Sequence, residues 1–270
     1  MTKLLGVIGD PIAHSLSPLI HNGWLRDEGF DATYEAMHVP SGEIRDALET
    51  LESRDILGVN VTLPHKHDAL AACTEASDAA NAIGAANTLT FKSAGNWHAD
   101  NTDAPGFLHA LGDTGSQSAR VLLLGAGGSA RAIVFALTNK GIPVTILNRT
   151  VSKASDLAAE LGDEKTQYGD ISQYTEYLDT ATIVVNTTSM GYSGDLLSLT
   201  DGDGRTFFDI SYGKVAAPQL DLASQKGWRV KDGLTMLVAQ AAYSFESWFG
   251  MMPDLEKALE RCQRAIKATQ

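Results

Sequence analysis

The sequence predicts an α/β protein of two domains, and three observations carry that prediction. Strand-like apolar runs alternate with helical patterns almost from end to end, as in α/β folds with mostly parallel strands. A glycine-rich turn, Gly125-Ala126-Gly127-Gly128-Ser129-Ala130, joins an apolar run to an apolar helix. Near residue 100 the pattern changes, and one continuous nucleotide-binding-like block begins. The length of 270 residues fits one to two domains of about 150 residues each.

Taken in order, Lys3–Gly9 predicts a first strand. A helix opens at Ser17-Pro18, with Ser17 as N-cap and Pro18 at the first helical position. Ile20 and Trp24 fall on one face of it. Tyr34–Val39 and Gly58–Leu63 predict further strands, His65–Cys73 and Glu75–Ile83 predict helices, and Asn87–Phe91 predicts a short strand. Gly112–Ala119 is small, polar and rich in turn formers. Beyond it come a strand, the glycine turn and a helix, then strands at Val144–Asn148, Ile183–Thr187 and Phe207–Ser211. The last helix, Pro253–Ala268, carries Leu255, Ala258, Leu259, Cys262 and Ile266 at helical spacing. The division expected is residues 1–101 as a first domain, rejoined by helices in 238–270, and residues 102–237 as a second.

Composition removes several functions. Lys and Arg number 21 against 33 Asp and Glu, a net charge of −12, which disfavours nucleic acid and anionic membranes as partners. An anionic ligand therefore needs a local positive site. Cys73 and Cys262 form no CxxC and no disulfide framework, as expected of reduced packing thiols in a cytoplasmic protein. Glycine and aspartate break the first apolar run too early for a signal peptide, and no window approaches the roughly 18 apolar residues of a membrane span. Without HExxH or a Cys/His cluster no metal site is expected, and without GxSxG the obvious hydrolase reading falls away.

The glycine turn matches G-x-G-x-x-G/A in the context that makes the motif meaningful, between the strand Val121–Leu124 and a helix. Small residues let the backbone approach a pyrophosphate, and the helix N-terminus supplies free N–H groups. A dinucleotide with a free ribose 2′-hydroxyl is usually met by Asp or Glu about 20 residues on. Here the corresponding stretch is Asn148-Arg149-Thr150, without a carboxylate. A guanidinium at Arg149 suits a 2′-phosphate, with Lys153 and Arg131 adding charge, so NADP is the expected cofactor.

The first half carries polar residues that a core does not need. Ser15 and Ser17 stand where a strand meets a helix N-terminus. Asn60-Val61-Thr62-Leu63-Pro64-His65-Lys66 ends a strand and puts a lysine at a helix start, an unfavourable place for a cation. That lysine either swings into solvent or points into a site that needs an ammonium. Ile83-Gly84-Ala85-Ala86-Asn87-Thr88 leads to an amide, and Asp103 either caps the next helix or meets Lys66, which spacing alone does not show.

Several ordered motifs together resemble the shikimate dehydrogenase family over nearly the full chain: GDPIAHSLSP with His21-Asn22, NVTLPHK, IGAANT, NTDAPG, GAGGSARA, NRTVSKA, NTTSMG and GLTMLVAQAAYSFE. The resemblance implies an α/β substrate domain and a doubly wound Rossmann domain with a cleft between them, the carboxyl-terminal helices packing back on the substrate domain. It implies NADPH-dependent reduction of 3-dehydroshikimate to shikimate, on the route to chorismate and aromatic amino acids. Lys66 and Asp103 would be the catalytic pair. Ser15 and Ser17 would hold the substrate carboxylate, and Thr62, Asn87, Gln240 and Tyr212 would complete the substrate site. Tyr212 is followed by Gly213-Lys214, where many members have x-Pro. Gly125, Ala126, Gly127, Gly128, Ser129 and Ala130 would bind the pyrophosphate, and Asn148, Arg149, Thr150 and Lys153 the adenosine 2′-phosphate. Met190 and Met236 would lie on the nicotinamide side, and Gly233 would also bind the cofactor. The rival readings are an NAD-using quinate/shikimate dehydrogenase and a non-catalytic NADP-binding sensor. A monomer or homodimer is expected.

Overall fold

A computed structural model of the chain describes residues 2–113 and 119–268, so most of the turn-rich stretch expected over Gly112–Ala119 lies outside the described residues. The chain begins with β1 (Lys3–Gly9), α1 (Ser17–Asp27), β2 (Ala32–His38), α2 (Ile44–Glu52), β3 (Ile56–Val61) and α3 (Lys66–Ala72). It continues through β4 (Glu75–Ala76), α4 (Asp78–Ile83), β5 (Thr88–Ser93), β6 (Asn96–Asp100) and α5 (Asp103–Leu111). Then come β7 (Val121–Leu124), α6 (Gly128–Thr138), β8 (Val144–Asn148), α7 (Val151–Leu161), β9 (Gln167–Asp170) and α8 (Tyr174–Leu178). The last elements are β10 (Ile183–Asn186), α9 (Met190–Ser193), β11 (Thr206–Asp209), α10 (Ala217–Gln225), β12 (Arg229–Lys231), α11 (Leu234–Phe249) and α12 (Leu255–Ala268). The described residues of Met1–Gly106 and Leu237–Thr269 form one unit, and those of Phe107–Met236 form the other. Thr102–Gly106 therefore sit in the first unit rather than the second.

The first unit is built on a six-stranded sheet in the order β2-β1-β3-β5-β6-β4, in which β5 alone runs antiparallel to its neighbours. Its inward side chains include Leu4, Ile8, Val59, Val61, Leu89 and Trp97. The α2 helix, unread in the sequence, buries Ile44, Leu48 and Leu51 at the i, i+4, i+7 spacing of one helical face. Gly58 lets the Trp248 ring of α11 lie against β3, because a Cβ there would stand 2.3 Å from its Nε1. The Trp24 indole of α1 donates to the Asp254 carbonyl at 2.8 Å, just before α12.

Three local expectations change. Ser17 is the first residue of α1 and not its N-cap, because the Ser15 hydroxyl accepts the Ser17 N–H at 3.2 Å and Leu16 takes the cap position. The run Glu75–Ile83 is not one helix. Glu75 and Ala76 pair with His98 and Ala99 of β6, and Ser77 then caps a shorter α4 by accepting the Ala80 N–H at 3.1 Å. The strand expected over Gly58–Leu63 ends at Val61, three residues before a proline that has no N–H to donate.

The second unit carries six parallel strands in the order β12-β11-β10-β7-β8-β9. Counted in chain order from β7, that is 3-2-1-4-5-6, the doubly wound Rossmann arrangement. All residues of β7 and β10 are buried, as expected for central strands covered on both faces. Strand order reverses at β7, so its carboxyl end and that of β10 mark the crevice where such sheets bind ligands.

Candidate active site

In the first unit the Lys66 ammonium meets the Asp103 carboxylate. Nζ lies 2.5 Å from Oδ2, with the two side chains only 11% and 8% exposed. Three local devices set that contact. His65 is fully buried, and its Nε2 meets the Val39 carbonyl at 2.7 Å, fixing the start of α3. Gly84, at φ 72°, ends α4 in the left-handed conformation that glycine favours and delivers the chain to Asn87. Asn101 caps α5 by accepting the Asp103 N–H at 3.1 Å while donating to the Ala85 carbonyl at 2.9 Å. With the cap supplied by Asn101, the Asp103 carboxylate is left for Lys66.

The other carboxylate oxygen, Oδ1, accepts from Asn87 Nδ2 at 2.9 Å. The Asn87 amide nitrogen faces two further acceptors, Thr102 Oγ1 at 3.0 Å and Gln240 Oε1 at 3.2 Å. The orientation of this amide follows from chemistry, because its oxygen accepts the Thr102 N–H at 2.7 Å, a group that only donates. Further hydrogen bonds help a buried pair of this kind, and Asn87 gives the second carboxylate oxygen one.

The structure thus joins Lys66, Asp103, Asn87 and Gln240 in one hydrogen-bonded cluster. Ser17 is buried and Ser15 half-buried at the start of α1. Burial pushes the Tyr34 hydroxyl well above its ordinary range, opposed by a hydrogen bond with the Ser17 side chain. Tyr34 in turn donates to Asn60 Oδ1 at 2.7 Å, and Asn60 Nδ2 donates to the Asn87 carbonyl at 3.1 Å. The two serines therefore connect to the cluster through residues to which sequence reasoning gave no role: Tyr34, Asn60, Thr88, Thr102 and Ser244. Asn60 stood out in principle as an amide inside an apolar strand. Ser244 was hidden as one hydroxyl in a long apolar helix. Thr62 makes no side-chain hydrogen bond to the cluster; its methyl instead fills the space beside Gly9.

The second unit holds Tyr212, half-buried after β11, and the whole expected nucleotide set. Gly125 closes β7 at φ 109°, and a Cβ there would stand 2.3 Å from Thr187 Oγ1, a hydroxyl tied to the Leu124 carbonyl at 2.7 Å. Gly127 caps α6 with open space where a Cβ would stand. Ala126, Gly128 and Ser129 are half-buried and Ala130 is buried. The result is a bare backbone surface at the N-terminus of an eleven-residue helix, the surface a pyrophosphate needs.

At the end of β8, Asn148 donates to the Thr150 carbonyl at 2.9 Å. Arg149, Thr150 and Lys153 are exposed, and among the described residues the Arg149 guanidinium has no ion-pair partner. Arg131 differs from expectation, since it pairs with Glu160 at 2.6 Å and is already neutralised. Met190 opens α9, behind a loop held by Asn186, whose amide joins Asp209 Oδ2 at 2.8 Å and the Thr188 hydroxyl at 2.7 Å. Gly233 passes so close to the Ile210 carbonyl that a Cβ would stand 1.8 Å from it, and Met236 is buried nearby in the chain. Among the described residues no cluster of three or more metal-ligating side chains occurs, and no helix is long and apolar enough to cross a membrane.

Comparison with known proteins gives three matching family models. Residues 7–89 match the shikimate dehydrogenase substrate binding domain. Residues 110–193 match shikimate / quinate 5-dehydrogenase, and residues 233–263 the shikimate 5'-dehydrogenase C-terminal domain. The chain is 50% identical over 271 residues to the shikimate dehydrogenase (NADP(+)) of Hyphomonas neptunium, covering 100% of each. It is 42% identical to the Roseobacter denitrificans protein of the same name, covering 96% of this chain and 97% of that one. Among solved structures it resembles the Thermus thermophilus shikimate 5-dehydrogenase in complex with NADP(H) and shikimate. That match has a TM-score of 0.85 and 35% identity, over 98% of this chain and 100% of the other.

Proposed function

The chain belongs to the shikimate dehydrogenase family, and from that premise we propose that it interconverts 3-dehydroshikimate and shikimate with NADP(H). The observation that carries the reading is the buried contact of Lys66 with Asp103, braced by Asn87. When bound, the reduced nicotinamide supplies a hydride to the ketone carbon of the substrate. The ketone oxygen then becomes an alkoxide that needs a proton. Lys66 stabilises the developing charge and donates that proton, and in the reverse direction it acts as the base. Asp103 orients the ammonium, and Asn87 orients Asp103. Ser15 and Ser17 hold the substrate carboxylate, while Thr62, Gln240 and Tyr212 contact its remaining polar groups.

The nucleotide groups fit NADP. The glycine turn presents bare N–H groups, β8 ends in Asn148 rather than a carboxylate, and Arg149 stands exposed with its guanidinium unpaired among the described residues. A charge-assisted hydrogen bond is worth about 1.5–3 kcal/mol, roughly a ten- to hundredfold change in affinity. Arg149→Ala is therefore expected to raise the KM for NADPH by about that factor and the KM for NADH little. Initial rates with each nucleotide check this, and an unchanged preference would place the 2′-phosphate elsewhere.

The direct test of function is the appearance of reduced nicotinamide absorbance when the protein is mixed with shikimate and NADP. A chain that binds NADP but shows no turnover would instead be a sensor. The two free thiols, Cys73 and Cys262, support a reducing cytoplasmic setting.

A further inference from the structure

Resting on the function proposed above, we propose that Ser244 is a positioning residue: its buried hydroxyl holds the Asn87 amide in the orientation that braces Asp103. Ser244 lies on α11, fully buried, four residues after Gln240. Its Oγ stands 3.0 Å from the Gln240 carbonyl, 2.8 Å from Asn60 Nδ2, 2.7 Å from Thr88 Oγ1 and 3.1 Å from Thr102 Oγ1. A hydroxyl has one proton, and the Gln240 carbonyl, which only accepts, takes it. Toward its other neighbours Ser244 is then an acceptor.

Proton counting gives the consequence. Asn60 turns its nitrogen to the Asn87 carbonyl and to Ser244, because the carbonyl only accepts and the Tyr34 hydroxyl occupies Asn60 Oδ1. Thr88 has one proton and three candidate acceptors, Ser244 Oγ at 2.7 Å and, at 3.1 Å each, Asn87 Oδ1 and Thr102 Oγ1. Ser244 is nearer and takes it. Asn87 Oδ1 thus keeps its two lone pairs for the Thr102 N–H at 2.7 Å and the Thr102 hydroxyl at 3.1 Å. The Asn87 nitrogen stays on Asp103 Oδ1 at 2.9 Å, with Thr102 Oγ1 at 3.0 Å and Gln240 Oε1 at 3.2 Å beside it. Without the Ser244 hydroxyl, the Thr88 proton is left to Asn87 Oδ1 and to the Thr102 hydroxyl that already serves it, and at Asn87 Oδ1 it is a third donor on an oxygen with two lone pairs. The amide is displaced, and Asp103 loses its second anchor.

The experiment measures shikimate oxidation with NADP in the parent, Ser244→Ala, Ser244→Cys and the double variant Ser244→Ala with Thr88→Val, each assayed below its melting temperature. Ser244→Ala is expected to lower kcat about tenfold, the worth of one hydrogen bond, with the KM for NADP unchanged. Ser244→Cys keeps the volume but is only a weak acceptor, so it falls with the alanine variant and keeps the test open should that one fold poorly. Removing the competing Thr88 hydroxyl in the double variant is expected to restore most of kcat. A merely structural serine predicts the opposite, since a second buried deletion adds damage. Parental kcat in either single variant, or a double variant slower than Ser244→Ala, overturns the proposal. An inactive parent overturns the assignment of function itself.

Discussion

Replacing Lys66 by alanine should lower kcat by about 10²–10⁴, the range that a well-placed general acid contributes. The KM for NADPH should not move, because the nucleotide groups belong to the other unit. The KM for substrate should move much less than kcat, since the stabilisation by Lys66 is strongest once negative charge has developed on the oxygen. The structure adds a consequence for stability. Lys66 is the only cation paired with Asp103 among the described residues, and that carboxylate is 8% exposed. Deleting one partner of a buried pair strands the other, at a cost of about 3–5 kcal/mol. A lower melting temperature must therefore be separated from the kinetic effect by assaying well below it. The double variant Lys66→Met with Asp103→Asn removes both charges at nearly constant volume. It should recover much of the lost stability and none of the turnover. Normal kcat with a large rise in substrate KM would assign Lys66 to binding instead.

The contrast between what the sequence showed and what it hid follows from the range of the interactions. The glycine turn was legible because strand, turn and helix are contiguous, and each small residue has a local reason. Gly125 faces Thr187 across the neighbouring strand end, but its positive φ alone already asks for glycine. The Lys66–Asp103 contact was implied by the family motifs but not legible from spacing, because it joins residues 37 apart. It needs β3 and β6 to end at the same edge of one sheet, and β6, with the sequence Asn-Trp-His-Ala-Asp, is short and buries only Trp97 and Ala99. The choice between Asp103 as a cap and Asp103 as a partner of Lys66 turned on Asn101, whose side chain supplies the cap two residues earlier. The helix expected over Glu75–Ile83 failed for a similar reason. A two-residue pairing with β6 won over helix propensity that Ser77 could satisfy by capping a shorter segment. Ser244 shows the limit most clearly. The residues that give its hydroxyl a purpose come from β3, from β5 and from the segment before α5.

Lowering the pH from about 7.5 to about 4.5 should cost the first unit roughly 2.5 kcal/mol through His21 alone. His21 is fully buried, stacked on Tyr34 with ring centres 4.2 Å apart and planes 4° apart, and edge-on to Trp24 at 5.4 Å. Its Nε2 has no hydrogen-bond partner. Burial therefore pushes its pKa down from 6.5 to about 3, opposed only in part by a hydrogen bond with Asn60. The unfolded chain takes up the proton near 6.5, whereas the folded chain resists it until about 3. Between those values the unfolded state holds more protons, so stability is complete above the upper value and drains away as pH falls, by about 1.4 kcal/mol per unit. Other groups act elsewhere or in the opposite sense. Exposed Asp27 and Asp254 are held below their ordinary range by Arg261 and by the Lys257 N–H respectively, so their contribution is lost only at lower pH. Asp232, in the second unit, is raised by burial and by the charge of Asp209, so its contribution falls as pH rises. The reading is therefore the difference between the parent and His21→Phe, which keeps a stacked ring but cannot titrate. Urea unfolding followed by tryptophan fluorescence, with Trp24 and Trp248 bordering the ring, should show the extra acid loss in the parent and not in the variant. Equal slopes would mean that the folded protein accepts the proton. In that case Asn60, which links His21 and Tyr34 to Asn87, would feel a charge in its own network, and acid would reach turnover before it reached the fold.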